Sequence, residues 1–463
     1  MLDEFYLLKR WKRAASLLIT GLFLYFVLLI PSVLAQGQTE ERRMTVVEAV
    51  KTALQDNHEI KVLQSAAHAR ESDIGIARSY LLPRISFEER YLRTTNPSYA
   101  FMSRLNQERI EQQDFNPELL NHPDAINDFQ SSLTVEQPLF VKKAYVGMDM
   151  SRTEARAKEK ELLRKREEIA FHVVKACLML GSSKEYARAV ELGVKDAREN
   201  KRVADLRYQN GLVQYADSLR ASTALMDARQ KMNVVDKNVS LAKRGLGLLL
   251  ATTESIDVVD SAANLPLNIL SVYVKAAESR SDLQAMQLRH ENAEQNIRMA
   301  EAAYFPNIGV GGTYQLNDHR QPFGSDGKSW QMTAFLRWDL FDGTKREYER
   351  TKAKHLAAVV REQVSAMKKG VSYRIYEAYM NVEEARKNTA LALESLKTAE
   401  EGARLLKVRY ENGFSSLAEL LNAQESLEQA RAGLVERENN YKMAVATLSF
   451  ESGTILKDLN LEK

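Results

Sequence analysis

The chain has 463 residues, of which 44% are hydrophobic and 27% charged, with a formal net charge of +3. That length allows two or three ordinary domains, and the balance excludes both a disordered chain and a bundle of membrane helices. Lys9, Arg10, Lys12 and Arg13 against Asp3 and Glu4 supply +2 of the charge before residue 36, so the remaining +1 gives no basic excess to suggest a nucleic-acid partner. The one cysteine, Cys177, excludes an internal disulfide and any cysteine-based metal cluster.

Four basic residues precede an apolar run from Ala14 to Ile30, which ends in Pro31-Ser-Val-Leu-Ala35. Val33 and Ala35 stand at the positions a signal peptidase reads, so residues 1–35 are expected to be a signal peptide cleaved before Gln36. The alternative is an uncleaved anchor, since about 17 apolar residues nearly span a bilayer. From Thr45 to about Leu82 the pattern is helical, with Val47, Val50, Leu54, Ile60, Leu63 and Ala67 recurring at helical spacings. Pro83 stops it. A strand is expected over about 85–93, then a long polar loop over 94–130, then a strand over about 131–140. In that second strand Leu133, Val135, Gln137 and Leu139 share one face, and Ser132, Thr134 and Glu136 the other.

A very long helix is predicted from about Lys143 to Leu206. Its stripe is Leu162, Ile169, Val173, Ala176, Cys177 and Leu180, and sixty-odd residues make it roughly 90–95 Å long. A turn at Asn210-Gly211 leads to a return helix from about Tyr215 to Leu250. These elements form a first repeat over 36–250, followed by a linker over 251–269.

The plan then recurs over 270–453, leaving a tail over 454–463. A helix from about Leu270 to Tyr304 is stopped by Pro306 as the earlier one is by Pro83. Strands follow over about 307–316 and 330–341. In the last strand Trp330, Met332, Ala334, Leu336, Trp338 and Leu340 face one way, and Gln331, Thr333, Phe335, Arg337 and Asp339 the other. A long helix spans about Lys345 to Tyr410 and a shorter one about 417–450. Val364, Val371, Ala378 and Ala385 are seven apart, as are Leu420, Leu427, Leu434, Tyr441 and Leu448, the period of helices packed as a coiled coil.

The two halves match in register. Arg207-Tyr-Gln-Asn-Gly211 is echoed by Arg409-Tyr-Glu-Asn-Gly413, and Ala216-Asp-Ser-Leu-Arg-Ala221 by Ala418-Glu-Leu-Leu-Asn-Ala423, at an offset of 202. The match marks an internal duplication.

The fold expected is mainly α, with long antiparallel coiled-coil helices and a small β contribution. The strands carry apolar groups on one face, including Tyr314, Trp330 and Trp338, and polar groups on the other. That alternation over about ten residues suits a transmembrane β-barrel, with those aromatics at the membrane interface. A soluble hairpin pair is the plainer alternative. Four strands cannot close a barrel, and an open edge cannot face lipid, so the membrane reading requires several chains.

Signal peptide, duplicated helix–hairpin–helix–helix units, a proline at each helix-to-strand junction, and Tyr-x-x-Gly followed by Asp/Glu-x-Leu-x-Ala at helical tips together resemble the TolC-like outer-membrane efflux proteins. The resemblance covers nearly all of residues 44–453. It implies a homotrimer in the outer membrane of a Gram-negative bacterium, with a twelve-stranded β-barrel in lipid continued by a twelve-helix periplasmic barrel. The function it implies is a passive exit duct for a tripartite efflux pump or for type I secretion, without a cofactor. The partners it implies are a periplasmic adaptor and an inner-membrane RND or ABC transporter. The turns at Gly211 and Gly413 would then be periplasmic tips, with Leu212 and Phe414 as apolar adaptor contacts. Glu419 and Asn422 match the acidic constriction of the family's gate, and Tyr410 and Asp217 a polar link that ties it shut. Asn422 departs from the family in not being acidic, and Ser415 stands where a basic partner often sits.

Other constellations carry no chemistry. Gly327-Lys-Ser329 resembles the end of a nucleotide-binding loop, but Pro322 stands where the first glycine belongs and a strand follows. The seven histidines show no metal spacing, with His58 and His68 ten apart and His319 beside Asp318 in a short loop. No catalytic constellation is present, so the chain is read as a non-enzyme. A periplasmic coiled-coil scaffold or adhesin without a lumen is the competing function.

Overall fold

A computed structural model describes residues 42–259 and 265–461, so the segment read as a signal peptide lies outside the described residues. The described residues open with strand β1 (Arg42–Met44) and helix α1 (Val46–Asp56). Thr45 starts α1 with a capping box: its hydroxyl accepts the Glu48 N–H at 3.3 Å, and Glu48 accepts the Thr45 N–H at 2.8 Å. One continuous helix was expected to Leu82, but Asn57 divides it. That residue is non-helical (ψ 129°), and its side chain caps helix α2 (His58–Ser79) by accepting the Glu59 N–H at 2.9 Å. The same amide donates to the Leu249 carbonyl at 3.0 Å, so the break is held by a tertiary contact.

Strand β2 (Arg84–Thr94) begins directly after Pro83. The stretch to 130, expected to be a loop, instead holds helix α3 (Pro97–Asn106), a 3₁₀ turn at Gln112–Phe115 and helix α4 (Pro117–Asn121). Asn96 and Asn116 cap those helices, and Pro97 and Pro117 occupy first helical positions, where a missing N–H costs nothing. Strand β3 (Ile126–Phe140) then leads into helix α5 (Lys142–Gln209), and helix α6 (Tyr215–Leu249) returns alongside it. Within the expected linker lies strand β4 (Ile256–Val258), which pairs in parallel with β1.

The second half begins with helices α7 (Leu270–Ala277) and α8 (Ser281–Glu301), separated because Arg280 adopts an extended ψ of 136°. Strands β5 (Asn307–Asp318) and β6 (Gly327–Arg337) follow, then helices α9 (Lys345–Glu411) and α10 (Leu417–Glu451). The expected tail contains helix α11 (Ile455–Asp458). Gly453 at φ +74° turns the chain so that Ile455, Leu456 and Leu459 enter the core.

Helices α5 and α9, at 68 and 67 residues, are each about 100 Å long. One stretch of α5 packs on α6 and another on α2 and α8; α9 packs on α10 and on α8. Shorter helices placed end to end therefore match the length of each long one. The largest cluster of buried apolar residues joins α1 and β4 to Ile169, Val173, Cys177 and Leu180 of α5. A second cluster joins Tyr273 and Leu283 to Val371, Ile375, Ala378 and Val382 of α9; of the expected heptad positions Val371 and Ala378 belong to it, whereas Val364 and Ala385 do not.

Candidate functional site

β2, β3, β5 and β6 form one antiparallel sheet in that order. The β3–β5 pairing joins the two repeats, with Leu133 opposite Tyr314 and Val135 opposite Gly312. Directly opposed residues share a face, so the register fixes what each face carries. Ile85, Phe87, Leu133, Val135, Tyr314, Trp330, Met332 and Leu336 lie on one side. Arg84, Glu88, Arg90, Thr134, Glu136, Thr313, Gln331 and Thr333 lie on the other. The apolar face is bare: Trp330 is 76% exposed and Met332 74%. An eleven-residue strand rises about 36 Å, and at a tilt near 40° it covers a band close to the apolar height of an outer-membrane barrel. β2 and β6 each have a strand on one side only among the described residues.

The last strand ends at Arg337, short of the expected 341. Arg346, in the first turn of α9, donates to the carbonyls of Asp339 (2.8 Å) and Leu340 (2.6 Å), which turns that backbone away from the ladder. Trp338 therefore sits just beyond the strand, where its indole N–H donates to the Tyr304 carbonyl at 3.1 Å. Tyr314 and Trp330 face each other in the body of the sheet, in the row of Leu133 at the middle of β3, so of the three expected interface aromatics only Trp338 lies at an end.

The far end of the helices carries two matched turns. Gly211 is at φ +70° and Gly413 at +82°, the left-handed region that favours glycine. Each N–H donates three residues back, to Tyr208 and Tyr410, and each following N–H, of Leu212 and Phe414, donates five back, to Arg207 and Arg409. Both turns are thus Schellman motifs. They leave Leu212 66% and Phe414 74% exposed.

The expected gate residues lie beside these turns. Glu419 is exposed and caps its own helix, its carboxylate accepting the Ser416 N–H at 2.9 Å while the Ser416 hydroxyl accepts the Glu419 N–H. Asn422 is exposed one turn further along. Tyr410 is buried in a cluster with Ala204, Ala221, Leu417 and Leu420. Its hydroxyl makes no hydrogen bond among the described residues, although Asp217 is close enough to act on it. Burial pushes this phenol above its ordinary value; Arg207 opposes that rise and Asp217 adds to it.

Sequence reasoning gave Arg207 no role, yet it joins the two tips. Its guanidinium lies 4.6 Å over the Tyr410 ring and donates to the Tyr410 carbonyl. The duplicate, Arg409, stays local and donates to Phe414 at 3.2 Å. The signal available in the sequence was its place in the repeated motif; which copy crosses over depends on tertiary packing.

Asp318, His319 and Asp326 also converge, in the β5–β6 hairpin loop, with candidate ligand atoms within 4.8 Å of one another. Asp318 accepts the backbone N–H groups of Arg320 (2.6 Å) and Gln321 (3.0 Å), and His319 Nδ1 bonds Asp326. These groups brace the loop. Cys177 is fully buried, and burial pushes its thiol up to about 12, so it is no nucleophile. No helix among the described residues is long and apolar enough to cross a membrane.

The family model for "Outer membrane efflux protein" matches residues 49–252 and 272–454. Among curated proteins, Nodulation protein T of Rhizobium leguminosarum bv. trifolii is 21% identical over 57% of this chain and 58% of its own length. The outer membrane efflux protein BepC of Brucella suis is 24% identical over 41% of each chain. The chain thus spans about half the length of the curated relatives it matches. Among solved structures, CusC superposes with a TM-score of 0.75 at 14% identity, over 88% of this chain and 92% of the other. A membrane protein from Pseudomonas aeruginosa gives 0.74 at 17% identity, over 88% and 90%. VceC of Vibrio cholerae gives 0.71 at 16%, over 88% and 96%. These likenesses establish the fold.

The chain belongs to the outer membrane efflux protein family.

Proposed function

We propose that this member of the outer membrane efflux protein family is one protomer of a homotrimeric, passive exit channel in the outer membrane of a Gram-negative bacterium. The observation that carries the reading is the four-stranded sheet with a bare apolar face, a polar face and two open edges. Lipid tolerates no open edge. Three copies supply twelve strands, and pairing β2 of one copy with β6 of the next closes them with the polar faces inward. The helices continue the tube into the periplasm as a twelve-helix barrel. Relatives in this family are efflux channels and not enzymes, and the chemistry at this site is likewise passage, driven by a partner.

The exposed Leu212 and Phe414 beside the two glycine turns suit docking of a periplasmic adaptor, which links the duct to an inner-membrane RND or ABC transporter. Glu419 and Asn422, one turn apart on α10, would face the threefold axis at the tips and contribute three carboxylates to the constriction. Tyr410 and Asp217 would form the link that holds it closed. Export of the chain would use residues 1–35 as a signal peptide cleaved near Ala35.

Reconstitution into planar bilayers tests the channel, and discrete conductance steps are expected. A protein that fractionates away from the outer membrane and does not conduct would return the chain to a coiled-coil scaffold. Glu419→Gln tests the gate, because glutamine retains the capping box while removing the charge. Block by divalent cations should weaken severalfold, and an unchanged blocking constant would remove Glu419 from the constriction.

A further inference from the structure

The segment between β2 and β3 is tied down by a buried carboxylate. Asp128 is 3% exposed, and its named partners are neutral side chains. It accepts from Ser103 Oγ at 3.3 Å, Gln107 Nε2 at 2.8 Å, and Asn317 Nδ2 at 3.0 and 3.2 Å. Ser103 and Gln107 belong to α3 and its C-cap; Asn317 belongs to β5. Asp128 alternates in phase with Ser132 and Thr134, and Asn317 with Gln315 and Thr313, so the anchor is on the polar face. A second observation agrees. A Cβ on Gly327, whose register is also that of the polar face, would sit 2.0 Å from the Asn106 carbonyl oxygen. Helix α3 therefore lies over the polar face, at the end of the sheet away from the long helices.

Its orientation reverses the usual amphipathic order. Ala100 and Ser103 are buried toward the sheet, whereas Tyr99, Met102 and Leu105, spaced three apart, are 62%, 49% and 47% exposed. Apolar side chains turned into a water-filled lumen are unfavourable unless they meet one another.

We propose that Pro97–Asn106 and the chain following it form a constriction at the outer mouth of the channel. Asp128 anchors it, and the three symmetry copies bring their Tyr99, Met102 and Leu105 faces together at the axis. The segment limits the size of what passes, independently of the helical tips. This inference rests on the channel reading of the sheet.

The test is thiol labelling of intact cells with membrane-impermeant maleimides, one small and one carrying a polyethylene glycol of about 5 kDa. Thr333→Cys reports the polar face and Met332→Cys the apolar face; Cys177 is buried and gives no background. In the otherwise unaltered chain, Thr333→Cys should react with the small reagent and resist the large one. Replacing residues 98–124 by a short Gly-Ser linker should raise its rate with the large reagent at least tenfold. Asp128→Asn, which turns an amide toward the Gln107 and Asn317 donors, should give an intermediate rate. Equal large-reagent labelling with and without the segment would overturn the constriction. Small-reagent labelling of Met332→Cys but not Thr333→Cys in the linker variant would overturn the channel reading itself.

Discussion

Arg280 is 3% exposed, yet it ties α8 to α10. Its guanidinium donates to Asp282 at 2.7 Å and to Glu451 Oε2 at 3.1 Å, and Arg374 of α9 reaches the same Glu451 oxygen at 3.3 Å. Breaking a buried pair strands its partners. Arg280→Met should therefore lower stability by about 3 kcal/mol, the low end of that range, because Asp282 and Glu451 keep 21% and 18% side-chain exposure. Urea unfolding in detergent measures it, and a change under about 1 kcal/mol would make the cluster incidental. The neighbouring acids respond to pH with opposite sign. Burial pushes Asp282 up, but the hydrogen bond and charge of Arg280, with Arg164, outweigh it and hold the carboxyl below its ordinary value. Its contribution is present above the unfolded value and lost as pH falls through the depressed one. Glu167 is raised, chiefly by burial, against the pull of Arg164. Its contribution is full below the unfolded value and lost as pH rises through the raised one. Glu167→Gln should thus gain on the unaltered chain as pH rises from 4 to 7, read as the difference in Tm. At the tip, the unbonded Tyr410 hydroxyl gives a sharp expectation for one protomer. Tyr410→Phe should change stability by less than about 1 kcal/mol, since no bond is lost.

At the scale of elements, period and punctuation were legible and tertiary capping was not. The strands announced themselves because one face is apolar and the other polar over ten residues, and Pro83 and Pro306 marked their starts. Gly211 and Gly413 marked the turns because only a left-handed residue closes a Schellman motif. Three features did not show. The α1–α2 break at Asn57 depends on a bond to Leu249, 192 positions away. Helix α3 buries small and polar residues against the sheet, so its apolar periodicity points outward and reads as noise. Helix α11 is one turn long, too short for any period. Ala334→Arg on the apolar face should cost about 2–4 kcal/mol in lipid, while Thr333→Arg on the polar face should be tolerated; comparing folded yield in bilayers separates them. Gly211→Val and Gly413→Val should each cost about 1–2 kcal/mol, seen as roughly tenfold faster exchange of the Leu212 and Phe414 amides that close the turns.

For the whole molecule, the proposed channel calls for more than one copy, because four strands cannot close a barrel. The two halves of the sheet meet through β3 and β5, which leaves β2 and β6 as open edges among the described residues. Long helices on the same chain expose Leu391, Val234 and Leu241 away from the two main cores, surfaces that neighbouring copies would cover. Symmetry that closes a ring satisfies both the edges and those faces. The most direct measurement is electron cryo-microscopy of the full chain extracted in mild detergent. The expected result is three copies about one axis, β2 of each hydrogen-bonded to β6 of the next, with the polar faces lining an open lumen. A monomer, or an oligomer whose sheet edges stay unpaired around no lumen, would contradict it.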